Sequence, residues 1–434
     1  MKIALSSYSG LGAWFTLRLR AEGHEVDYFL SKPEYEGVLK GLIKEPKILD
    51  IDLRHHIQGY KFPSYKKYDL SLFDITGTWK QAESSRLDCP TLGDGQFEQM
   101  LEDDREFGIK CMEDCGINVP HYERFDNAAE AKAFLKVNNR AYVYKPFESP
   151  SGNDDKALTY VAKSAADLIE VIDKLWQQSK QTPFILQEVV KGEELGVEAY
   201  FNGTDFFMIA GTLEEKKFMN DNKGPNTGCT GNLIFAMNED MKIFKEGLDK
   251  AKPFLRDVGF RGIIDLNTII TEDTIYGLEW TPRFGYLCCP TFAHMYGSGY
   301  GDLLCDIASG RNPQLKWGGG TFGAAVTMSI PPFPTEVRLP RAKGIPVEGI
   351  DIENPEELCG IYLYDVCVEK KKLVTSGNYG YIGAVLGTSN SIEGAFSICD
   401  RKLKQIQIPN MQYRTDIQKS TKRRYEQLQD WGWL

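Results

Sequence analysis

Residues 262–285 read GIIDLNTIITEDTIYGLEWTPRFG, and the rest of the chain is organised around them. Gly262 to Ile270 and Thr274 to Glu279 are apolar runs joined by Thr271-Glu272-Asp273, a pattern that predicts two paired strands. Asp265 and Asn267 alternate with apolar neighbours, so they share one strand face. Glu279 ends the second strand. Oxygen ligands from two adjacent strands, with phosphate oxygens and water, make an ordinary Mg²⁺ site. Arg283 is then placed to neutralise charge on a transferring phosphoryl group. A structural salt bridge is the alternative use of the same residues.

Two constellations lie upstream. In Tyr144-Lys145-Pro146-Phe147-Glu148-Ser149-Pro150-Ser151-Gly152 an apolar strand ends on a lysine and a loop of small residues follows, running to Lys156. Small residues let backbone N–H groups approach phosphate oxygens, and the lysine adds a point charge. A solvated hairpin with a surface lysine has the same pattern. In Gln187-Glu188-Val189-Val190-Lys191-Gly192-Glu193-Glu194 an apolar strand delivers an extended segment and then a carboxylate two residues past a glycine. Extended backbone can pair with an adenine edge, and a carboxylate can accept from two ribose hydroxyls; a strand followed by an acidic turn is the alternative.

At the N-terminus, strand Lys2 to Ser7, turn Ser9-Gly10-Leu11-Gly12, a helix to Ala21 and strand His24 to Phe29 predict the opening of a doubly wound parallel sheet. Tyr68 to Ile75 reads as another strand and Phe97 to Cys115 as one amphipathic helix stopped by Gly116. From Glu123 the pattern becomes α+β: helices at Ala128–Val137 and Ala165–Gln178, strands at Ala141–Pro146 and Phe184–Val190, and a hairpin turning at Asn202-Gly203. A last block from Gly318 holds strands at Ala324–Ile330, Gly360–Val368 and Ile382–Leu386 and a helix from Ser391. The KSTKRR run, 419–424, reads as a solvated helix face.

Composition bounds the function. The chain has 434 residues, 42% hydrophobic and 26% charged, which suits a folded protein of roughly three domains. The formal net charge of −10 argues against nucleic acid or an anionic membrane as partner. No apolar run approaches the roughly 18 residues of a membrane span, and no secretory leader is visible, so a cytoplasmic location is expected. Ten cysteines without paired CxxC motifs, and five histidines without HxxxH spacing, give little support for zinc and read as free thiols and scattered rings. The 41 glycines raise the question of which are turns and which cradle a ligand.

In this order and spacing, the three constellations resemble the ATP-grasp superfamily. The likeness is closer to the phosphoribosylamine–glycine ligase family, whose GPNTGGMG segment is similar to Gly224-Pro225-Asn226-Thr227-Gly228-Cys229-Thr230-Gly231. Its EFNxRFGDPE segment is similar to Glu279-Trp280-Thr281-Pro282-Arg283-Phe284-Gly285-Tyr286-Leu287-Cys288. The resemblance implies an α/β ATP-grasp fold, with a pre-ATP-grasp doubly wound sheet over 1–95, an ATP-grasp body over 96–317 (its lid about 121–190), and a small C-terminal α+β domain over 318–434. It implies that Arg105 and Lys145 contact ATP, that Ser149, Ser151 and Gly152 form the phosphate lid, and that Gln187, Glu188 and Val190 meet the adenine. Glu194 would hold the ribose. Lys216, Asn226 and Thr227 would line the acceptor and acyl-phosphate site. Glu279, with Asp265 or Asn267 and Thr281, would bind Mg²⁺ or Mn²⁺. Arg283 would stabilise the phosphoryl and tetrahedral states.

The departures from that pattern cluster. The family's asparagine in EFN is Thr281, a poorer metal ligand. Its Asp-Pro-Glu is Tyr286-Leu287-Cys288, two GGMG residues are Cys229 and Thr230, and the GGREHA-like turn has neither Arg nor His. These positions face the acceptor more than ATP. The expected activity is therefore an ATP- and Mg²⁺-dependent carboxylate–amine ligase joining a small amino acid, glycine first, to an amine-bearing sugar phosphate or modified nucleotide. It would work as a monomer or homodimer. The alternatives are phosphoribosylamine–glycine ligase activity itself and a non-catalytic nucleotide-binding protein.

Overall fold

The computed structural model describes residues 1–49, 62–147, 159–335 and 337–434. Ser149, Ser151, Gly152 and the loop to Lys156 lie outside the described residues, as do His55 and His56.

The first sheet holds β1 (Lys2–Ser7), β2 (Glu25–Leu30), β3 (Lys47–Ile48), β4 (Leu70–Phe73) and β5 (Thr91–Leu92), in the order β3-β2-β1-β4-β5. Every pairing is parallel. Helices α1 (Trp14–Ala21) and α2 (Trp79–Arg86) follow β1 and β4. Strand order reverses at β1, so the crevice between the ends of β1 and β4 is the place where such sheets take ligands. Asp74 sits there, accepting from Ser7 Oγ at 2.5 Å and from the Gly12 N–H at 2.7 Å. A Cβ on Gly12 would lie 2.5 Å from that of Asp74, so only glycine allows the approach.

The single helix expected over Phe97–Cys115 is two, α3 (Gln96–Asp103) and α4 (Arg105–Asp114). Asp104 leaves helical geometry at φ −91°, ψ 95° and caps the second helix, accepting from the Phe107 N–H at 3.0 Å. A side chain that satisfies an orphan N–H competes with helix continuation, and here it wins.

Next comes a four-stranded antiparallel sheet of β6 (Tyr122–Phe125), β7 (Tyr142–Pro146), β8 (Tyr160–Val161) and β9 (Phe184–Glu188), ordered β6-β9-β7-β8. Helices α5 (Ala128–Val137) and α6 (Ala165–Gln178) cover it. It has its own apolar core of Phe125, Leu135, Tyr144, Leu168, Ile172 and Phe184.

The central sheet is antiparallel with eight strands. β10 (Glu193–Phe201) and β11 (Phe206–Met219) form the hairpin expected at Asn202-Gly203, and Asn202 Oδ1 accepts from the Thr204 and Asp205 N–H groups at 2.9 Å each. β12 (Lys223–Ala236) returns along β11. The Asn226-Thr227-Gly228 segment thus lies near the start of a long strand. After α7 (Lys242–Glu246) and α8 (Lys252–Asp257), β13 (Gly262–Ile270) and β14 (Ile275–Thr281) form the expected pair. Helices α9 (Cys288–Tyr296) and α10 (Tyr300–Ala308) lead to β15 (Phe322–Ser329), which pairs with β12.

Short α11 (Pro355–Cys359) precedes β16 (Ile361–Leu363), β17 (Val366–Glu369), β18 (Lys372–Thr375) and β19 (Tyr381–Ser389). The strand expected over Gly360–Val368 is broken between β16 and β17, because buried Asp365 gathers the Asn378 and Gly380 N–H groups at 2.9 and 2.8 Å and Ser376 Oγ at 2.6 Å. Helices α12 (Ile392–Gln405) and α13 (Ile417–Asp430) end the chain. The sheet order is β14-β13-β10-β11-β12-β15-β19-β16, so the block after 317 and the body before it share one sheet. One apolar core joins Leu5 of the first sheet, Val197, Leu213 and Ile264 of the central sheet and Val385 near its far edge. Among the described residues, no helix is long and apolar enough to cross a membrane.

Candidate functional site

Register builds the site. Residues opposite one another in paired antiparallel strands share a face. Gly196 of β10 faces Asn267 of β13 and Thr212 of β11; Glu198 faces Asp265. Asn267 and Asp265 in turn face Glu279 and Thr281 of β14. Glu214 of β11 faces Asn232 of β12. One sheet face therefore carries Glu194, Glu198, Glu214, Asp265, Asn267, Glu279 and Thr281. Glycine at 196 keeps it open, since a Cβ there would lie 2.7 Å from Asp265 Oδ1.

Lys216 stands on this face in contact with Glu194 and 3.9 Å from Glu214. Burial would lower its pKa, but Glu194, Glu214 and Glu279 outweigh that and raise it, so it is a fixed cation. Lys145 reaches the same field from β7 of the smaller sheet. Its pKa falls to about 8, chiefly through lost hydration and then through Arg105, against the pull of Glu279 and Glu194. Arg105, the first residue of α4, donates from Nε to the Pro146 carbonyl at 3.1 Å, tying helix to strand beside Lys145. Two lysines, one arginine and two carboxylates expected from separate stretches thus lie in one electrostatic neighbourhood.

Arg283 is held by a residue that sequence reasoning missed. Its Nε donates to Glu102 Oε1 and Oε2 at 3.1 and 3.2 Å, and its Nη2 to Oε1 at 2.9 Å. Burial opposes the charge, but Glu102, then Tyr286 and Glu279, raise the pKa further. Tyr286, which stands where the family has aspartate, lies under the guanidinium at 5.1 Å. Glu102 is legible only with the fold in hand, because it sits on α3, 181 residues from its partner.

The side chains expected to bind metal are linked to one another. Asn267 Nδ2 donates to Asp265 Oδ2 at 2.8 Å and to Thr281 Oγ1 at 3.3 Å, which turns its amide oxygen away from both. Among the described residues, no three His, Cys, Asp or Glu side chains form a metal-holding group. Carboxylates of β13 and β14 that need phosphate oxygens to complete a shell fit Mg²⁺, which keeps waters and binds through one or two carboxylates plus phosphate. They do not fit a closed structural site. Beneath them Glu198 is buried, and burial together with Asp265 and Glu214 pushes its carboxyl well above the usual range. Cys288 Sγ lies 3.8 Å from Glu214 Oε1.

Other expected residues are placed as follows. Gln187 is buried, with Nε2 3.5 Å from the Pro120 carbonyl. The Glu188 N–H is engaged by the His121 carbonyl at 2.8 Å, and its carboxylate by Arg140 at 3.0 Å. Val190 lies half-buried between β9 and β10. There a Cβ on Gly192 would come 2.2 Å from the Ile270 carbonyl, so glycine lets the segment pass close over β13. Thr227 Oγ1 donates to the Lys216 carbonyl at 3.0 Å, and exposed Asn226 faces Lys217 across the hairpin.

The family described as phosphoribosylglycinamide synthetase, ATP-grasp (A) domain, matches residues 103–289. Phosphoribosylamine–glycine ligase of Lactococcus lactis subsp. lactis is 22% identical over 341 residues, covering 76% of this chain and 78% of that one. The ligase of the same name from Caldanaerobacter subterraneus subsp. tengcongensis is 22% identical over 352 residues, covering 77% and 80%. In structure, phosphoribosylamine–glycine ligase of Thermotoga maritima aligns with a TM-score of 0.72 at 19% identity, covering 96% of this chain and 100% of that one. Biotin carboxylase of Campylobacter jejuni aligns at 0.62 and 10% identity, covering 97% and 93%. The chain thus carries an ATP-grasp domain of the phosphoribosylglycinamide synthetase type at 103–289 and, over most of its length, is a distant relative of the phosphoribosylamine–glycine ligases.

Proposed function

We propose that the protein is an ATP-dependent carboxylate–amine ligase acting through an acyl phosphate. One observation carries the reading: Lys145 of the smaller sheet shares a charge field with Glu194, Lys216 and Glu279 of the central sheet, inside the segment that matches the ATP-grasp domain. In this reading a carboxylate oxygen of a small amino acid, glycine first, attacks the γ-phosphorus of ATP. The bond to the bridging oxygen breaks and ADP leaves. An amine then attacks the acyl carbon, loses a proton and expels phosphate. Glu194 accepts from the ribose hydroxyls. Arg105 and Lys145 hold phosphate oxygens, as do the lid residues Ser149, Ser151 and Gly152. Gln187, Glu188 and Val190 border the adenine. Lys216, Asn226 and Thr227 line the acyl-phosphate side, and Arg283 meets developing charge while Glu102 fixes its plane. Such a site works by positioning and charge stabilisation, without a nucleophilic side chain. Glu279, with Asp265 or Asn267 and Thr281, would hold Mg²⁺ or Mn²⁺, which supplies Lewis-acid polarisation of the phosphates.

The division into a pre-ATP-grasp doubly wound domain over 1–95, an ATP-grasp body over 96–317 with its lid at about 121–190, and a C-terminal α+β domain over 318–434 belongs to the same proposal, as does a cytoplasmic location. The acceptor in this reading is an amine-bearing sugar phosphate or modified nucleotide.

The test is an ADP-release screen of amino acids crossed with amines, with products weighed by mass spectrometry. At least one pair stimulates ADP release, and Arg283→Ala abolishes that stimulation. ATP binding without stimulation by any pair supports the non-catalytic reading, which Thr281 favours. Rescue of a purine auxotroph supports phosphoribosylamine–glycine ligase activity itself.

A further inference from the structure

The KSTKRR run is not a solvated face throughout. Arg424 of α13 is 8% exposed and enters the central sheet at one point. The ladder between β10 and β11 runs from Phe201 opposite Phe206 to Gly196 opposite Thr212. Beyond that pair each strand stays bonded to its outer neighbour: β10 to β13 as far as Glu193 opposite Ile270, and β11 to β12 at Glu214 opposite Asn232. Continued past that pair, the register sets Leu195 opposite Leu213 and then Glu194 opposite Glu214 across the gap. Their carbonyls are bridged by Arg424, which donates from Nη2 to the Glu194 carbonyl and from Nη1 to the Glu214 carbonyl at 2.9 Å. The same guanidinium is clamped by carboxylates pointing to the other side of the sheet, Glu193 at 3.2 Å and Glu215 at 3.5 Å. Arg414 binds Glu215 as well, at 3.2 Å, and donates to the Lys217 carbonyl at 3.0 Å.

We infer that Arg424 is a positioning residue for nucleotide binding. It sets the splay between the two strands whose opposite face presents Glu194 and Lys216. A planar fork of donors can hold two carbonyls at a fixed separation; a single ammonium cannot. The charge is matched locally by Glu193 and Glu215, so its effect on the site is geometric. This inference rests on the reading that Glu194 holds the ribose.

The experiment compares ATP with 2′,3′-dideoxy-ATP by calorimetry on the full-length protein, with thermal melting alongside. Wild type binds ATP about tenfold more tightly, as a charged acceptor on two hydroxyls requires. Arg424→Lys, folded and melting close to wild type, loses that preference to within about twofold. Lys422→Ala, which removes a lysine 41% exposed on the same helix and paired with Glu393 and Glu426, keeps it. Where Arg424→Lys does not fold, Glu193→Gln is measured instead. It takes the charge from the acceptor of Nε, loosens the clamp and lowers the preference about threefold. A folded Arg424→Lys, or failing that Glu193→Gln, with the wild-type preference overturns the inference and leaves the ATP-site reading standing. A wild type that binds both nucleotides equally overturns the ribose role of Glu194, and with it the inference.

Discussion

Arg283 and Glu102 show what the site asks of single residues. Both are largely buried, at 12% and 13% exposure of their side chains, and each is the other's main counter-charge. Removing one leaves the other uncompensated, which costs about 3 kcal/mol or more. Glu102→Ala should therefore destabilise the protein by about that amount in urea unfolding, and should cut ligase turnover because the guanidinium loses its fixed plane. Lys145 carries a pH signature. Its pKa in the fold, about 8, lies below the ordinary lysine value of about 10.4, so the unfolded chain holds the proton more tightly. Its charge opposes folding below about pH 8, and the penalty disappears as pH rises towards about 10.4. Lys145→Met should accordingly be more stable than wild type at pH 7, with the gain vanishing above about pH 10. Its ATP affinity should fall tenfold or more, whereas wild-type affinity should weaken as pH rises through about 8. Melting curves and calorimetry across pH check both. The sequence singles out Lys145 and Glu279 as charges closing apolar strands, and Glu194 and Arg283 as charges just beyond such strands. Glu102, Glu198, Glu214 and Arg424 were not legible in it, because their partners are set by tertiary pairing. Even so, the spacing of Glu194 and Glu198 on one face was a signal that alternation offered.

At the scale of elements, β13, β14, α5 and α6 form where the sequence pattern places them, within two residues at each end. The misses share a cause: a polar side chain capturing backbone groups inside an otherwise regular pattern. Asp104 does this between α3 and α4, and Asp365 between β16 and β17. Asp104→Ala should lose its cap and about 1 kcal/mol of stability, measured by denaturant unfolding, and should loosen Arg105 at the start of α4. β12 was hidden differently. Gly224-Pro225-Asn226 has turn composition, yet the length of β11 gives it a partner to lie against.

Across the whole molecule, the three-part reading of the sequence meets a sheet that runs through two of its parts. Deleting 318–434 removes β15, β19, β16 and α13 together, baring the edge of β12 and the gap that Arg424 bridges. An exposed long edge strand invites association. The fragment 1–317 should aggregate on size-exclusion chromatography instead of eluting as a folded monomer. The chemistry of the molecule comes down to one bond. If a carboxylate is activated as an acyl phosphate, one of its oxygens must leave with the phosphate. The direct measurement is turnover of an ¹⁸O-carboxylate amino acid, glycine first, with the amine that the ADP-release screen returns, followed by mass spectrometry of the inorganic phosphate. One ¹⁸O atom in the phosphate for each amide formed is the predicted result; phosphate free of label while the amide accumulates would contradict it.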